Sequence, residues 1–118
     1  MRKRLPTQNG PEAKIQRGIV ERLKLLDWYV IVTHGNEFQM GVPDLIIQHK
    51  RYGTKFVEVK NPESYRFTAA QMEVLPKMIA YGAKVYVLTG HSDSEIAKLH
   101  GESNVWMYMR DFRSLNKG

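Results

Sequence analysis

Apolar residues recur along the first half of the chain with two different periods. One helix is predicted over 12–27, because its apolar residues recur at steps of four, four and three: Ile15, Ile19, Leu23 and Leu26. Three runs rich in β-branched and aromatic residues then predict strands: 28–33, 44–48 and 55–60. Lys50 to Gly53 is short and polar, and Gly53 accepts a positive φ, so the second and third strands should form a hairpin.

The second half of the chain alternates helices and strands. Thr68 is typical of a helix N-cap, and Gly82 is typical of the residue that ends a helix. The remaining predicted elements are a strand over 84–88, a short helix over 92–99 and a strand over 105–109. The order αβββαβαβ predicts an α/β fold in which a mixed sheet is flanked by helices.

Length, charge and composition narrow the class of protein. At 118 residues we expect a flexible basic arm, 1–11, and a single domain, 12–118. The net charge of +6 favours a polyanionic partner such as nucleic acid. The chain has no cysteine, no apolar run long enough to span a membrane and no signal-peptide pattern, so we expect a cytoplasmic protein without membrane contact.

The predicted hairpin brings two acids and a lysine together. Residues that pair in an antiparallel hairpin have a constant index sum, and a turn near 51–52 gives a sum of 102 to 104. Asp44 then lies opposite the segment from Glu58 to Lys60, and those two residues share one face of their strand. An ordinary surface ion pair between Glu58 and Lys60 is the alternative.

Two adjacent carboxylates repel each other unless a cation or a proton is shared between them. Oxygen ligands of this kind suit Mg²⁺ or Mn²⁺, so we predict Asp44, Glu58 and the carbonyl of Val59 as metal ligands. Lys60 would orient or deprotonate the attacking water, or stabilise the transition state of phosphodiester cleavage. No small-molecule cofactor is predicted.

The segment Gly41-Val42-Pro43-Asp44, with Glu58-Val59-Lys60 and the later Gln71, resembles the PD-(D/E)xK nuclease superfamily. Within it, the chain is most similar to the VRR-NUC (virus-type replication-repair nuclease) family over about residues 12 to 88. The resemblance implies a restriction-endonuclease-like αβββαβ core, here followed by αβ. It also implies an enzyme that cuts DNA with Mg²⁺ or Mn²⁺, a catalytic role for Gln71, and a further glutamate on the first helix.

Two glutamates of the first helix are candidates for that position. On a helical projection Glu12 falls inside the apolar stripe, whereas Glu21 falls on the opposite face. Since a carboxylate that faces inward needs a reason, Glu12 is our choice as a catalytic residue and ligand. A first-turn glutamate favoured by the helix dipole is the alternative.

Contacts with nucleic acid are predicted at five positions outside the acids: Arg4, Lys50, Arg51, Tyr65 and Arg66. Short members of the family, often phage-encoded, are associated with branched DNA such as Holliday junctions, so a branched substrate and a host cytoplasm are implied. A homodimer is expected because a small chain with one active site needs two copies to cut both strands of a duplex or junction. The alternatives are a non-catalytic nucleic-acid-binding module of the same fold, a nuclease that acts on linear duplex or RNA, and a structural adaptor.

Overall fold

The computed structural model describes residues 10–33 and 41–109. Its helices are α1 (Pro11–Leu25), α2 (Ala69–Ala80) and α3 (Asp93–Ala97), the last followed by a 3₁₀ turn (Lys98–His100), and residues 105–109 are also helical. Its strands are β1 (Tyr29–Val32), β2 (Leu45–His49), β3 (Gly53–Val59) and β4 (Val85–Leu88). None of these helices has the length and apolarity needed to cross a membrane.

The four strands form one mixed sheet in the order β1-β2-β3-β4. β2 pairs antiparallel with both β1 and β3, whereas β4 is parallel to β3. Leu45 pairs with Val57, so the index sum of the hairpin is 102, which lies within the predicted range. The register therefore places Asp44 across from Glu58, and the predicted mixed sheet flanked by helices is confirmed.

Each face of the sheet is covered by helices. On one face, Ile19 and Leu23 of α1 pack with the inward residues of β2 and β3, such as Leu45 and Val57. On the other face, Leu75 of α2 packs in a second apolar cluster with residues of β4 and of the segment 105–109. In β3 and β4, alternate side chains enter the two clusters, as the period of a strand requires. The acids predicted as metal ligands lie at one end of this layered structure.

The predicted strand over 105–109 is wrong, because these residues are helical. Val105 and Met109, four residues apart, are the two buried apolar residues of the segment, which is the spacing of a helix face. The Asn104 amide receives the Val87 N–H at 2.7 Å and donates to the Val87 carbonyl at 2.9 Å. The Asn104 side chain thus bonds the N–H and the carbonyl of Val87 in β4, which a fifth strand beside β4 would otherwise bond.

Candidate metal centre

Three carboxylates converge at the end of the sheet where β2 begins and β3 ends. Glu12 comes from the first turn of α1, Asp44 directly precedes β2, and Glu58 lies in β3. One carboxylate oxygen of each lies within 4.8 Å of the others. Glu21, the other candidate in α1, is exposed. The structure therefore brings together the three acids that were predicted as ligands.

Backbone contacts fix the position of Asp44. The Thr33 hydroxyl, just after β1, donates to the carbonyls of Pro43 at 2.8 Å and Asp44 at 3.1 Å. The Val59 N–H donates to Asp44 Oδ2 at 2.8 Å, which orients the carboxylate towards Glu58. Sequence reasoning missed Thr33, because no local pattern links it to a motif ten residues later.

Gly41 allows the loop before Asp44 to lie directly against α2. Its φ is 84°, and a Cβ there would lie 2.7 Å from the Ala70 carbonyl oxygen and 2.9 Å from Val74. Only glycine combines this conformation with so close an approach of two backbones. This close approach places the segment before the Pro43-Asp44 motif against the start of α2.

Lys60 is buried and its ammonium group has three partners. Nζ donates to the Arg66 carbonyl at 2.7 Å and to Gln71 Oε1 at 3.0 Å, and it lies 3.2 Å from Glu58 Oε2. It also lies 4.5 Å from the centroid of the Phe67 ring, a cation–π contact. The ring of Phe67, the residue before Thr68, thus lies against the lysine.

Gln71 connects the lysine, Glu58 and the N-terminus of α2. Its Nε2 donates to Glu58 Oε2 at 2.6 Å, while its Oε1 accepts from Lys60 Nζ and from the Thr68 N–H. The Thr68 hydroxyl in turn accepts from the Gln71 N–H, which completes a capping box. The Thr-x-x-Gln spacing was a readable signal that would have fixed this geometry from the sequence. The predicted N-cap at Thr68 is confirmed.

The acids share an environment that favours their neutral forms. Burial, followed by the nearby Asp44 charge, raises the pKa of Glu58 to about 8, although Lys60 acts in the opposite direction. Burial also raises the pKa of Asp44, against the lowering effect of the Val59 N–H. The pKa of Glu12 is raised by burial and then by Asp44. Such a group of acids requires a shared proton or a cation at neutral pH.

The site fits a hard divalent cation. Glu58 Oε1 is buried and, within the described residues, is a buried side-chain oxygen without a hydrogen-bond partner. Two oxygens bound to one Mg²⁺ at ~2.1 Å lie at most ~4.2 Å apart, so the observed spacing within 4.8 Å needs only a small side-chain adjustment. Carboxylate oxygens are also the donors that Mg²⁺ and Mn²⁺ prefer. Glu12, Asp44 and Glu58 could therefore hold such an ion.

The residues predicted to contact nucleic acid lie in different places. Tyr65 and Arg66 line a cavity that also touches Glu12 and Lys60. Lys50 and Arg51 lie in the turn of the hairpin, at the opposite end of β2 and β3 from the acids. Arg4 lies outside the described residues.

Comparison with known proteins agrees with this geometry. No family model and no curated protein matches the chain. A solved structure described as a VRR_NUC domain superimposes with a TM-score of 0.63 and 27% sequence identity. The match covers 75% of this chain and 95% of that one. The resemblance to the VRR-NUC family that the motif predicted is therefore confirmed in three dimensions, and it supports a nuclease-type domain.

Proposed function

We propose that this protein is a metal-dependent endodeoxyribonuclease that hydrolyses phosphodiester bonds in branched DNA. The observation that carries the proposal is the convergence of Glu12, Asp44 and Glu58 beside a buried lysine. A purely structural ion pair explains Lys60 with Glu58, but it does not explain two further acids or the unpartnered Glu58 oxygen. The similarity to a VRR_NUC domain supports the same reaction class.

Asp44 and Glu58 would bind Mg²⁺ or Mn²⁺, with Glu12 binding a second ion or its water shell and the Val59 carbonyl as a further ligand. When bound, such an ion lowers the pKa of water and neutralises the charge that develops on phosphate. The Val59 N–H already orients the Asp44 carboxylate at 2.8 Å, so the backbone at the end of β3 helps to define the geometry. The chain thus supplies a preformed set of oxygen donors.

Lys60 would stabilise the negative charge that develops on the phosphate and orient the attacking water. Its ammonium group is fixed in advance by the Arg66 carbonyl and Gln71, so little reorganisation is needed during the reaction. Gln71 would keep Glu58 in place through the 2.6 Å hydrogen bond from Nε2. Gln71, one of the two groups that hold the lysine, is therefore also linked to a proposed metal ligand.

A homodimer would bring two such sites to the two strands of a junction. β1 lies at one end of the strand order in the described sheet, with Tyr29 68% and Ile31 43% exposed. These exposed apolar side chains on a terminal strand support pairing with a second copy. Sedimentation of the protein with and without DNA tests this proposal, since a species that stays monomeric throughout would exclude it.

The direct test is cleavage of matched DNA and RNA substrates with Mg²⁺ or Mn²⁺. A four-way junction, a flap, a linear duplex and an RNA hairpin should be compared, and the branched DNAs should be cut fastest. Glu12→Gln should lose most of the activity, whereas Glu21→Gln, on the exposed face of the same helix, should retain it.

A non-catalytic nucleic-acid-binding module is the second candidate. It predicts binding to the same DNAs with no cleavage at stoichiometric protein, whichever of the two ions is present. A structural adaptor, the remaining alternative, predicts instead that Asp44→Ala and Lys60→Ala leave function unchanged.

A further inference from the structure

A cavity of about 230 Å³ opens beside the acids, between the start of α1 and the loop that follows β3. Glu12 and Lys60 border it on the catalytic side. The rest of its lining comes mainly from four loop residues: Asn61, Ser64, Tyr65 and Arg66. Pockets for drug-sized molecules span roughly 300–1,000 Å³, so this smaller cavity suits one planar ring system attached to a phosphate.

Tyr65 offers a positioned aromatic surface to this cavity. The residue is 38% exposed, and its ring lies almost perpendicular to Tyr108 at 5.3 Å and to Phe67 at 6.3 Å between centroids. The Tyr108 hydroxyl accepts a hydrogen bond from Lys98 at 2.9 Å, which anchors the supporting ring to the segment after α3. A supported and accessible aromatic ring is the platform on which proteins stack unpaired bases.

Arg66 joins this loop to the catalytic lysine. Its carbonyl receives Lys60 Nζ at 2.7 Å, while the residue itself is exposed at the edge of the cavity. The backbone of Arg66 is thereby fixed to the reaction centre, and its guanidinium side chain begins one residue from Tyr65. A guanidinium group beside a stacking ring is suited to the phosphate of a stacked nucleotide.

We propose that this cavity binds the base of the nucleotide that flanks the scissile phosphate, with Tyr65 stacking on the base and Arg66 contacting the adjacent phosphate. The inference rests on the proposed nuclease function and deepens it. A base that enters a protein cavity must unstack from its neighbours and separate from its pairing partner. The free-energy cost of that step is smallest where the nucleotide is already unpaired. The enzyme therefore selects DNA with an unpaired nucleotide next to the cut.

Substrates with one altered nucleotide test the inference directly. In a flap or junction, an abasic residue is placed in turn at each position that flanks the cut. At one flank we expect kcat/KM to fall about tenfold, the effect of losing one base–aromatic stack. In a matched linear duplex, an unpaired base at the same flank should raise the cleavage rate above that of the fully paired duplex.

The variant Tyr65→Ala identifies the cavity as the cause. It should lower kcat/KM about tenfold on the intact substrate and cause no further loss on the abasic substrate, because both changes remove the same contact. Tyr81→Ala is the control, since Tyr81 is 88% exposed at the far end of α2. Thermal unfolding of both variants checks that the fold is intact.

Binding measurements separate failure of this inference from failure of the nuclease function. With Ca²⁺ in place of Mg²⁺, a fluorescent purine analogue at the flanking position should change its emission on binding, and Tyr65→Ala should abolish the change. The inference would be overturned if the abasic site and Tyr65→Ala lowered kcat/KM by independent factors that multiply. It would also be overturned if the emission change of the analogue were the same in Tyr65→Ala. If the emission change depended on Tyr65 but no DNA were cleaved with Mg²⁺ or Mn²⁺, only the catalytic proposal would be overturned.

Discussion

The two ends of the β2–β3 hairpin contain the same kind of residue in different surroundings. Lys60 and Lys55 are 6% and 7% exposed, and their odd spacing along the chain directs them to opposite faces of the sheet. Lys60 lies among Glu58, the Gln71 amide and a backbone carbonyl. Lys55 donates to the Leu99 carbonyl and lies 5.3 Å from the centroid of the Tyr86 ring.

The comparison shows that burial of a charge does not by itself make a site. Burial and then the neighbouring Lys84 lower the pKa of Lys55, so its surroundings disfavour the ammonium form. Lys60 is instead paired with an acid that belongs to a cluster of three. What distinguishes the end that contains Lys60 is the convergence of opposite charges from α1, from β3 and from the segments just before β2 and just after β3.

Removing each lysine gives the largest contrast. Lys60→Met should lower the cleavage rate about 100- to 1,000-fold, the usual effect of losing one group that stabilises transition-state charge. Lys55→Met should change the rate by less than about threefold, since Lys55 lies near the turn and on the opposite face of the sheet from the acids. Single-turnover kinetics measure both. Equal losses of activity in the two variants would contradict the comparison.

Metal binding should stabilise the protein through the end of the hairpin that contains the acids. Mg²⁺ at 100 times its Kd should raise the free energy of unfolding by about 2.7 kcal/mol, seen as a higher Tm. Glu58→Gln should remove this increase because the buried oxygen loses its charge. Lys50→Ala, at the turn end, should retain it. An increase that persists in Glu58→Gln would place the ion elsewhere.

The acid cluster should also make the metal-free protein less stable as pH rises. The pKa of Glu58 is about 8 in the folded state against an ordinary value of 4.5, so the folded protein binds the proton more tightly than the unfolded chain. The contribution of Glu58 to the free energy of unfolding should therefore be fully present below about pH 4.5 and should be lost between about pH 4.5 and 8. The raised pKa values of Asp44 and Glu12 act in the same direction.

Urea unfolding in the presence of a chelator measures this dependence. Glu58→Gln should flatten it, because the amide does not titrate, while Glu21→Gln on the exposed face of α1 should leave the slope as it is. A metal-free protein whose stability is constant or increases across this range would refute the assignment of the raised pKa to Glu58.

The smallest effect is expected at the turn end. If Lys50 and Arg51 contact phosphates, Lys50→Ala or Arg51→Ala should each reduce the slope of log affinity against log salt by about 1. The rate of the chemical step should not change, because the length of the hairpin separates the turn from the acids. DNA binding measured over a range of salt concentrations tests this. An unchanged slope would exclude these two residues from the DNA interface.

Local signals in the sequence predicted most of the fold. The step pattern of Ile15, Ile19 and Leu23 predicted α1, whose described end lies within two residues of the expected one. The short turn fixed the hairpin register, and hence the approach of Asp44 to Glu58, because index sums follow from turn length. Gly82, with a φ of 102°, follows α2 as predicted.

The remaining features depend on contacts between distant segments. The run at 105–109 is rich in apolar and aromatic residues, but the Asn104 side chain and the packing of Val105 with Met109 decide in favour of a helix. The Arg66 carbonyl and the Phe67 ring hold Lys60 through the path of a loop, which no residue pattern specifies. Tertiary context of this kind overrides local propensity.

A crystal structure of the protein with Mn²⁺, with the ion located by its anomalous scattering, tests the metal centre most directly. The account predicts a single strong peak, or a close pair, about 2.0–2.2 Å from carboxylate oxygens of Asp44 and Glu58, with Glu12 bound to the same ion, to its water or to the second ion. Glu58→Gln crystals should lose the peak. A strong peak away from these acids, or none at saturating Mn²⁺, would contradict the account.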